Sequence, residues 1–287
     1  MRTVLCNRRA VASIVATLML MMITVVTLTI TLSFVQNNLT RGEAENDFTF
    51  AKVFMKTVGL QVDDVAWQTG QLDSLQYSSR NSEIFLRSGI ISYTVKINYL
   101  DSSTETLPKY TLNGIFYSIP VLKYNLENLY FEEILPEEMT ALVLSQPTDP
   151  ITRVFVVQKN PIGLEGDYVR IGVVPLFRYT SYSISLSTGT TYYKKFFLVN
   201  LVEGAGTPSS PQYINLYSSG IDSLVRRRVQ SMEFTVSYER ESEGYDQQFF
   251  NFQDKYGNPL LYQKIDFEDL GADIEIYEST VEVGYKN

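Results

Sequence analysis

The chain has 287 residues, 45% of them hydrophobic, and a formal net charge of -8, a length that suits one large domain or two small ones beside a membrane segment. It contains a single cysteine, Cys6, and no histidine, which excludes Ser-His-Asp and Cys-His catalysis, zinc sites of the usual kind and any disulfide within the chain. The acidic excess repels nucleic acid and anionic lipid headgroups, so nucleic acid is not an expected partner.

Residues 1–10 carry Arg2, Arg8 and Arg9 and no acid. Val11 to Val35 follows, 25 residues without charge or proline. About 20 apolar residues span a bilayer as a helix, because only a helix satisfies every backbone N–H within its own segment. Residues 11–36 are therefore expected to be a transmembrane helix. Beyond the leader the chain has 21 basic against 32 acidic residues, or -11. The positive-inside rule then keeps the arginine end in the cytoplasm and puts the remainder outside. A cleaved secretory signal would have a shorter apolar core and a small-x-small site after it, whereas this run ends in Phe34-Val-Gln-Asn-Asn. A lipoprotein signal at Cys6 is disfavoured by Leu5 and by the position of Cys6 ahead of the apolar run. An uncut signal anchor remains as the plain alternative.

Arg8-Arg9-Ala10 followed by Val11-Ala12-Ser13-Ile14-Val15-Ala16 resembles the class III leader of archaeal type IV pilins and archaellins. The resemblance covers roughly residues 7–35. It implies cleavage by a prepilin peptidase on the cytoplasmic side, with Arg8, Arg9 and Ala10 ending the leader and Val11 as the new N-terminus. Val15 stands where bacterial members carry glutamate, a departure that points toward the archaeal branch. The resemblance further implies a hydrophobic stalk, a globular head, and assembly with other pilin subunits by a pilus assembly machinery.

Residues 37–68 are expected to continue the helix outside the membrane. Asn38-Leu39-Thr40 is a sequon that makes Asn38 a candidate glycosylation acceptor. From there Ala44, Phe48, Ala51, Met55, Val58, Val62 and Val65 recur in steps of three and four, one stripe of a helix. The helix is expected to run to about Trp67, with a bend near Gly42, and to stop at Gln68-Thr69-Gly70. Some 55 residues at about 1.5 Å each make a rod of roughly 80 Å. Thr17, Thr24 and Thr31 recur at heptad spacing. They are candidates for stalk packing, or they bond back to their own turn.

Residues 69–287 read as a β-rich head. Ile91–Tyr99 and Met232–Tyr238 alternate cleanly with polar residues, as does much of Ile274–Tyr285. Further strands are expected at Glu83–Arg87, Gly114–Ile119, Ile151–Gln158, Asp167–Phe177 and Tyr192–Val202. Turns are expected at Asp101-Ser102-Ser103, Asn160-Pro161, Glu165-Gly166-Asp167 and Tyr256-Gly257-Asn258-Pro259. Many short strands without helical interludes indicate an antiparallel, sandwich-like head after a long N-terminal helix. Residues 204–211 are the best loop or subdomain junction, and Asn125–Met139 is ambiguous because Pro136 forbids a long helix there.

With histidine absent, the acid-base candidates are carboxylates: Asp63-Asp64, Glu132-Glu133, Glu137-Glu138, and Asp266 with Glu268-Asp269. Such runs are usually solvated faces. No phosphate loop or EF-hand spacing is present, so no enzyme activity, cofactor or metal site is expected. Arg226-Arg227-Arg228 stands out in an acidic body, and it is expected either to be solvated or to meet Glu43, Glu45 and Asp47 of a neighbouring stalk. The functional expectation is a minor, tip or adhesive subunit of a surface filament with an unidentified surface or glycan ligand. A single-pass anchored binding protein that never polymerises is the alternative.

Overall fold

A computed structural model describes the chain apart from residues 1, 78–81, 122–123, 128, 137–139, 146–147, 160–167, 188, 205–212, 268–270 and 287, with backbone only for 2–14, 37, 186, 189 and 285–286. The expected turns at Asn160-Pro161 and Glu165-Gly166-Asp167 lie outside the described residues, as does the 204–211 loop beyond Gly204. The chain divides into two compact units, residues 1–46 and 47–287.

The first unit is helical throughout. It belongs to α1, Arg2–Ala66, which passes Gly42 without interruption. Whatever bend the sequence suggests near Gly42, the helix is not broken there.

The second unit contains the rest of α1 and the head. Its strands are β1 Leu72–Gln76, β2 Glu83–Tyr99, β3 Thr104–Thr106, β4 Tyr110–Pro120, β5 Tyr130–Leu135, β6 Val143–Leu144 and β7 Thr152–Lys159. They continue as β8 Tyr168–Pro175, β9 Phe177–Leu186, β10 Gly189–Glu203, β11 Tyr213–Ser237, β12 Tyr262–Asp266 and β13 Ala272–Lys286, with a short helix α2, Gln247–Phe250, before β12. All thirteen join one hydrogen-bonded sheet in the order β5-β7-β8-β4-β2-β11-β13-β10-β9-β6, with β1 and β12 also on β11 and β3 on β2.

The mostly-β head is thus as expected, and its strands belong to one connected sheet rather than two separate ones. Nor is the pairing wholly antiparallel: β10 pairs β13 in parallel, and β6 pairs β9 in parallel. The reason is topological. β11 runs antiparallel to β13 on one side while β10 flanks it on the other. A strand inserted between two oppositely directed neighbours must be parallel to one of them.

The sheet curls, so that β10 packs against β4 and β8 although three strands separate β10 from β4 along the path. Asn113 on β4 donates to the Leu201 carbonyl of β10 across this closure. Both faces are consequently buried. One carries Tyr93, Phe116, Phe155, Phe177, Phe196 and Phe234 together with Phe249 and Phe250 of α2. The other carries Ile84, Tyr117, Val156, Ile171, Leu216 and Val281, packed with the C-terminal part of α1. Strand alternation explains the division, since successive residues point to opposite faces.

Two expected turns are seen. Asp101 accepts from the Ser103 backbone N–H (3.0 Å), and Ser102 sits at φ 66°. Asp254 Oδ1 accepts the backbone N–H groups of Tyr256 and Asn258, each at 2.8 Å. The ambiguous stretch contains β5, and its residues 128 and 137–139 are not described.

Candidate functional site

Between Val15 and Val35 the large apolar side chains of α1 lie exposed, Met22 at 75% and Phe34 at 66% among them. This helix is long and apolar enough to cross a membrane. Four threonine hydroxyls of the segment turn back onto the helix. Thr24 donates to the Leu20 carbonyl (2.7 Å) and Thr31 to the Thr27 carbonyl (2.8 Å), while Thr27 and Thr29 bond back in the same way. Donation to the residue four earlier satisfies each hydroxyl within its own turn. Thr24 and Thr31 therefore offer methyl groups rather than free donors to a neighbour, and Thr17 too has a polar partner.

The heptad-like stripe then becomes core. Ala44 and Phe48 are buried, and Ala51, Met55, Val58, Val62 and Val65 have no exposed surface. Burying a side chain of the Val or Met kind contributes about 1.5–3 kcal/mol. The off-stripe charges are tied to strands: Lys52 pairs Glu132, and Asp63 meets Arg178 at 3.2 Å while accepting from Trp67 Nε1 at 3.0 Å. At Gly59 the helix presses on β7. A Cβ there would come 2.6 Å from Val154 Cγ2 and 3.0 Å from Thr152 Oγ1, and that Thr152 hydroxyl donates to the Gly59 carbonyl (2.8 Å).

The end of α1 is buried and capped from the sheet. The Ala66 carbonyl, one of the four left unpaired at a helix C-terminus, accepts from the fully buried Ser218 (3.4 Å) and Ser279. Gly70 then turns the chain at φ 87° and donates to the Ser218 carbonyl (2.8 Å).

The remaining sequence-derived positions separate. The backbone of Arg8, Arg9, Ala10 and Val11 lies within α1, and their side chains are outside the described residues. Asn38 is exposed on α1, with the sequon hydroxyl of Thr40 donating to the Gln36 carbonyl (2.9 Å). Arg226 makes a two-pronged pair with Glu105 of its own head, at 2.8 and 2.7 Å. Hydrogen bonds from Arg226 and Tyr99 pull the Glu105 carboxyl down to about 2. Arg227 is exposed; Arg228 occupies a β-bulge at φ 57° and donates its N–H to Asp273 Oδ1 (3.2 Å). The three arginines thus have different surroundings, Arg226 paired within its own head and Arg227 exposed.

Arg226 also borders a groove of about 430 Å³ lined by Glu105, Leu107, Tyr110, Asn200, Leu224 and Glu278, among others. Burial, reinforced by the nearby Asp222 charge, raises the Glu278 carboxyl, and a hydrogen bond with Asn200 opposes that rise. Of the other acids, Glu133 is held by Arg153 and Asp266 by Lys264. Glu137, Glu138, Glu268 and Asp269 lie outside the described residues. Among the described residues no group of three or more potential metal-ligating side chains is present.

Arg153 escapes a reading by sequence. It sits on β7 with only 1% of its surface exposed, bonded twice to Glu133 (2.7 and 2.6 Å) and once to the Phe250 carbonyl. Its guanidinium lies over the rings of Phe131, Phe155 and Phe252. In Thr152–Lys159 an arginine between apolar residues reads as outward-facing. Only α2, folded over that face, makes it internal.

Comparison with protein-family models, with characterised proteins and with solved structures finds no match to this chain.

Proposed function

We propose that the chain is an archaeal type IV pilin-like subunit, of the minor, tip or adhesive kind, held in the membrane by residues 11–36 and cut after Ala10 by a prepilin peptidase. The observation that carries this reading is α1 itself. One unbroken helix offers an exposed, uncharged apolar stretch at Val15–Val35, and its later residues Ala51–Val65 are part of the core of the β-rich head. An apolar helix surface of that length needs lipid or other helices around it. In this reading lipid covers it first, and packed neighbouring stalks cover it after assembly. The head lies outside the cell, its orientation set by Arg2, Arg8 and Arg9 on the cytoplasmic side. The role is structural, so the partners are the membrane, the peptidase, other pilin subunits and the assembly machinery, and no cofactor is called for. The inward-bonded threonines leave the stalk smooth and apolar, which suits close helix packing.

The test is the N-terminus of the protein isolated from its native membrane, with and without an active prepilin peptidase. A mature chain starting at Val11 only when the peptidase works is the expected result. A chain retaining residues 1–10 in both cases overturns the reading in favour of an anchored surface protein that does not polymerise.

A further inference from the structure

Strand β11 has two edges, and one of them is open over part of its length. β13 lies along the first edge from Tyr213 to Val229. On the second edge β1 covers Tyr213–Tyr217 and β2 covers Val229–Ser237. Gly70 donates to the Ser218 carbonyl, the Ser218 N–H donates to the Gln71 carbonyl, and Leu100 donates to the Arg228 carbonyl. Among the described residues no strand or loop backbone bonds the second edge of Ser219–Arg227. Register shifts bracket this stretch, at Ser218/Gly220 and at Arg226/Val229. Unpaired N–H and C=O groups along a strand edge form a template for another strand.

The side chains around the gap are those of an interaction site. On one face Ile221 and Val225 are 37% and 50% exposed. On the other, Leu224 and Arg226 form part of the wall of the 430 Å³ groove. The basic groups lining that groove are already occupied, Arg226 by Glu105 and Lys109 by Glu239. Asp222 and Glu278 stand directly opposite one another on β11 and β13, and among the described residues no basic side chain pairs with either. Like charges directly across a strand pair are unfavourable, so this rung is left with uncompensated negative charge beside apolar walls from Leu107, Leu112 and Leu224.

We propose that this recess receives an extended segment of another polypeptide by strand addition to β11, with a lysine or arginine of that segment at the Asp222–Glu278 rung. Main-chain bonds supply the affinity in such a mode, and a pocket for alternate side chains supplies the selectivity. The long apolar stem of a lysine follows the leucine wall while its ammonium neutralises the two carboxylates. The recess also limits the kind of partner. β1 and β2 close both ends on the same edge, so a strand embedded in another sheet, including β11 of a second copy, collides with them. A free segment of up to nine residues, about 30 Å, fits. Both bounding strands are antiparallel to β11, and an antiparallel guest continues their ladder.

The experiment uses the full chain in detergent micelles, with hydrogen exchange read by mass spectrometry and a fluorescein-labelled peptide, TEVVTKT, as probe. Run antiparallel to β11, its glutamate meets Arg226 and its lysine meets Asp222. The expected result is fast exchange, without peptide, of those amides of Ser219–Arg227 that point away from β13, protection of the same amides with peptide, and at least tenfold weaker binding to the Asp222→Asn, Glu278→Gln variant or for TEVVTET. Unchanged Trp67 fluorescence verifies that the variant is folded. Protection of those second-edge amides already present without peptide overturns the proposal. So does absence of binding, binding without protection of this segment, or equal binding of the two peptides. None of these outcomes depends on cleavage at Ala10 or on filament formation.

Discussion

Val15–Val35 and Ala51–Ala66 belong to one helix, yet their surfaces meet opposite fates. In the first, Leu18, Met19, Leu20 and Met21 are each more than half exposed, on all sides of the helix. In the second, one stripe is fully buried, and the opposite side carries Lys52, Lys56 and Asp64. A helix that is apolar all round has no polar side to turn to water and requires an apolar medium, whereas an amphipathic one requires only a core on one side. What distinguishes the halves is therefore that the first is uncharged and apolar on every side, while the second carries charge on the side away from its buried stripe.

The sharpest way to break that comparison is to place one charge in each half. Val58→Asp buries an unpaired carboxylate in the head and is expected to cost about 3–5 kcal/mol or to prevent folding. Denaturant unfolding followed by the single tryptophan reads this directly, because Trp67 packs edge-on against Phe197 at 5.2 Å. Val25→Asp in the first half is expected to leave that unfolding curve in place while reducing membrane insertion by about 2.5–3.5 kcal/mol, measured by membrane fractionation. Equal losses of head stability from the two substitutions would contradict the division.

A smaller contrast comes from the two glycines of α1. Gly59→Ala forces a methyl group into Val154 and Thr152 and is expected to cost about 1–3 kcal/mol. Gly42→Ala meets open space and is expected to raise helix stability by about 0.5–1 kcal/mol, seen as slower amide exchange around residue 42.

The smallest effects come from the carboxylates of the β11 groove, and they have opposite signs. Glu105 titrates near 2 in the folded head, below its ordinary value. Its pairing thus stabilises the head above the ordinary carboxylate range, and that contribution is lost as pH falls toward about 2. Both partners are about a third exposed, so solvent screening holds the loss in Glu105→Gln under about 1 kcal/mol at pH 7. Glu278 is raised instead, so it favours the folded state at low pH, and that advantage is lost as pH rises through its folded value. Glu278→Gln is expected to raise the melting temperature at pH 7 by about 1 °C, and the gain should vanish on acidification.

The stripe from Ala44 to Val65, the helix stop at Gly70 and the strands at Ile91–Tyr99, Met232–Ser237 and Ile274–Tyr285 were legible because each keeps one period for several turns or rungs. The first half of β11 was not. Its register shifts at Ser218/Gly220 and Arg226/Val229 change which face successive residues occupy, and this erases the alternation that marks a strand. β9 was hidden for another reason: Thr180–Ser185 is polar or half-exposed on both faces, so no burial pattern reaches the sequence. Arg226 was singled out as a member of a triple, but its partner is Glu105, 121 positions away, a pairing that no local pattern encodes.

By itself the sequence determined the charge-free 25-residue run, the amphipathic continuation of its helix, the β character of the head and the absence of histidine chemistry. These depend on local periodicity and inventory, which are properties of neighbouring residues. Only the tertiary structure decided that β13 slots between β10 and β11, that Arg153 and Glu133 are enclosed by α2, and that Ser219–Arg227 keeps an open edge. Each of these depends on which distant segment comes to lie alongside, and that is settled by the closing of the whole sheet rather than by any stretch of chain.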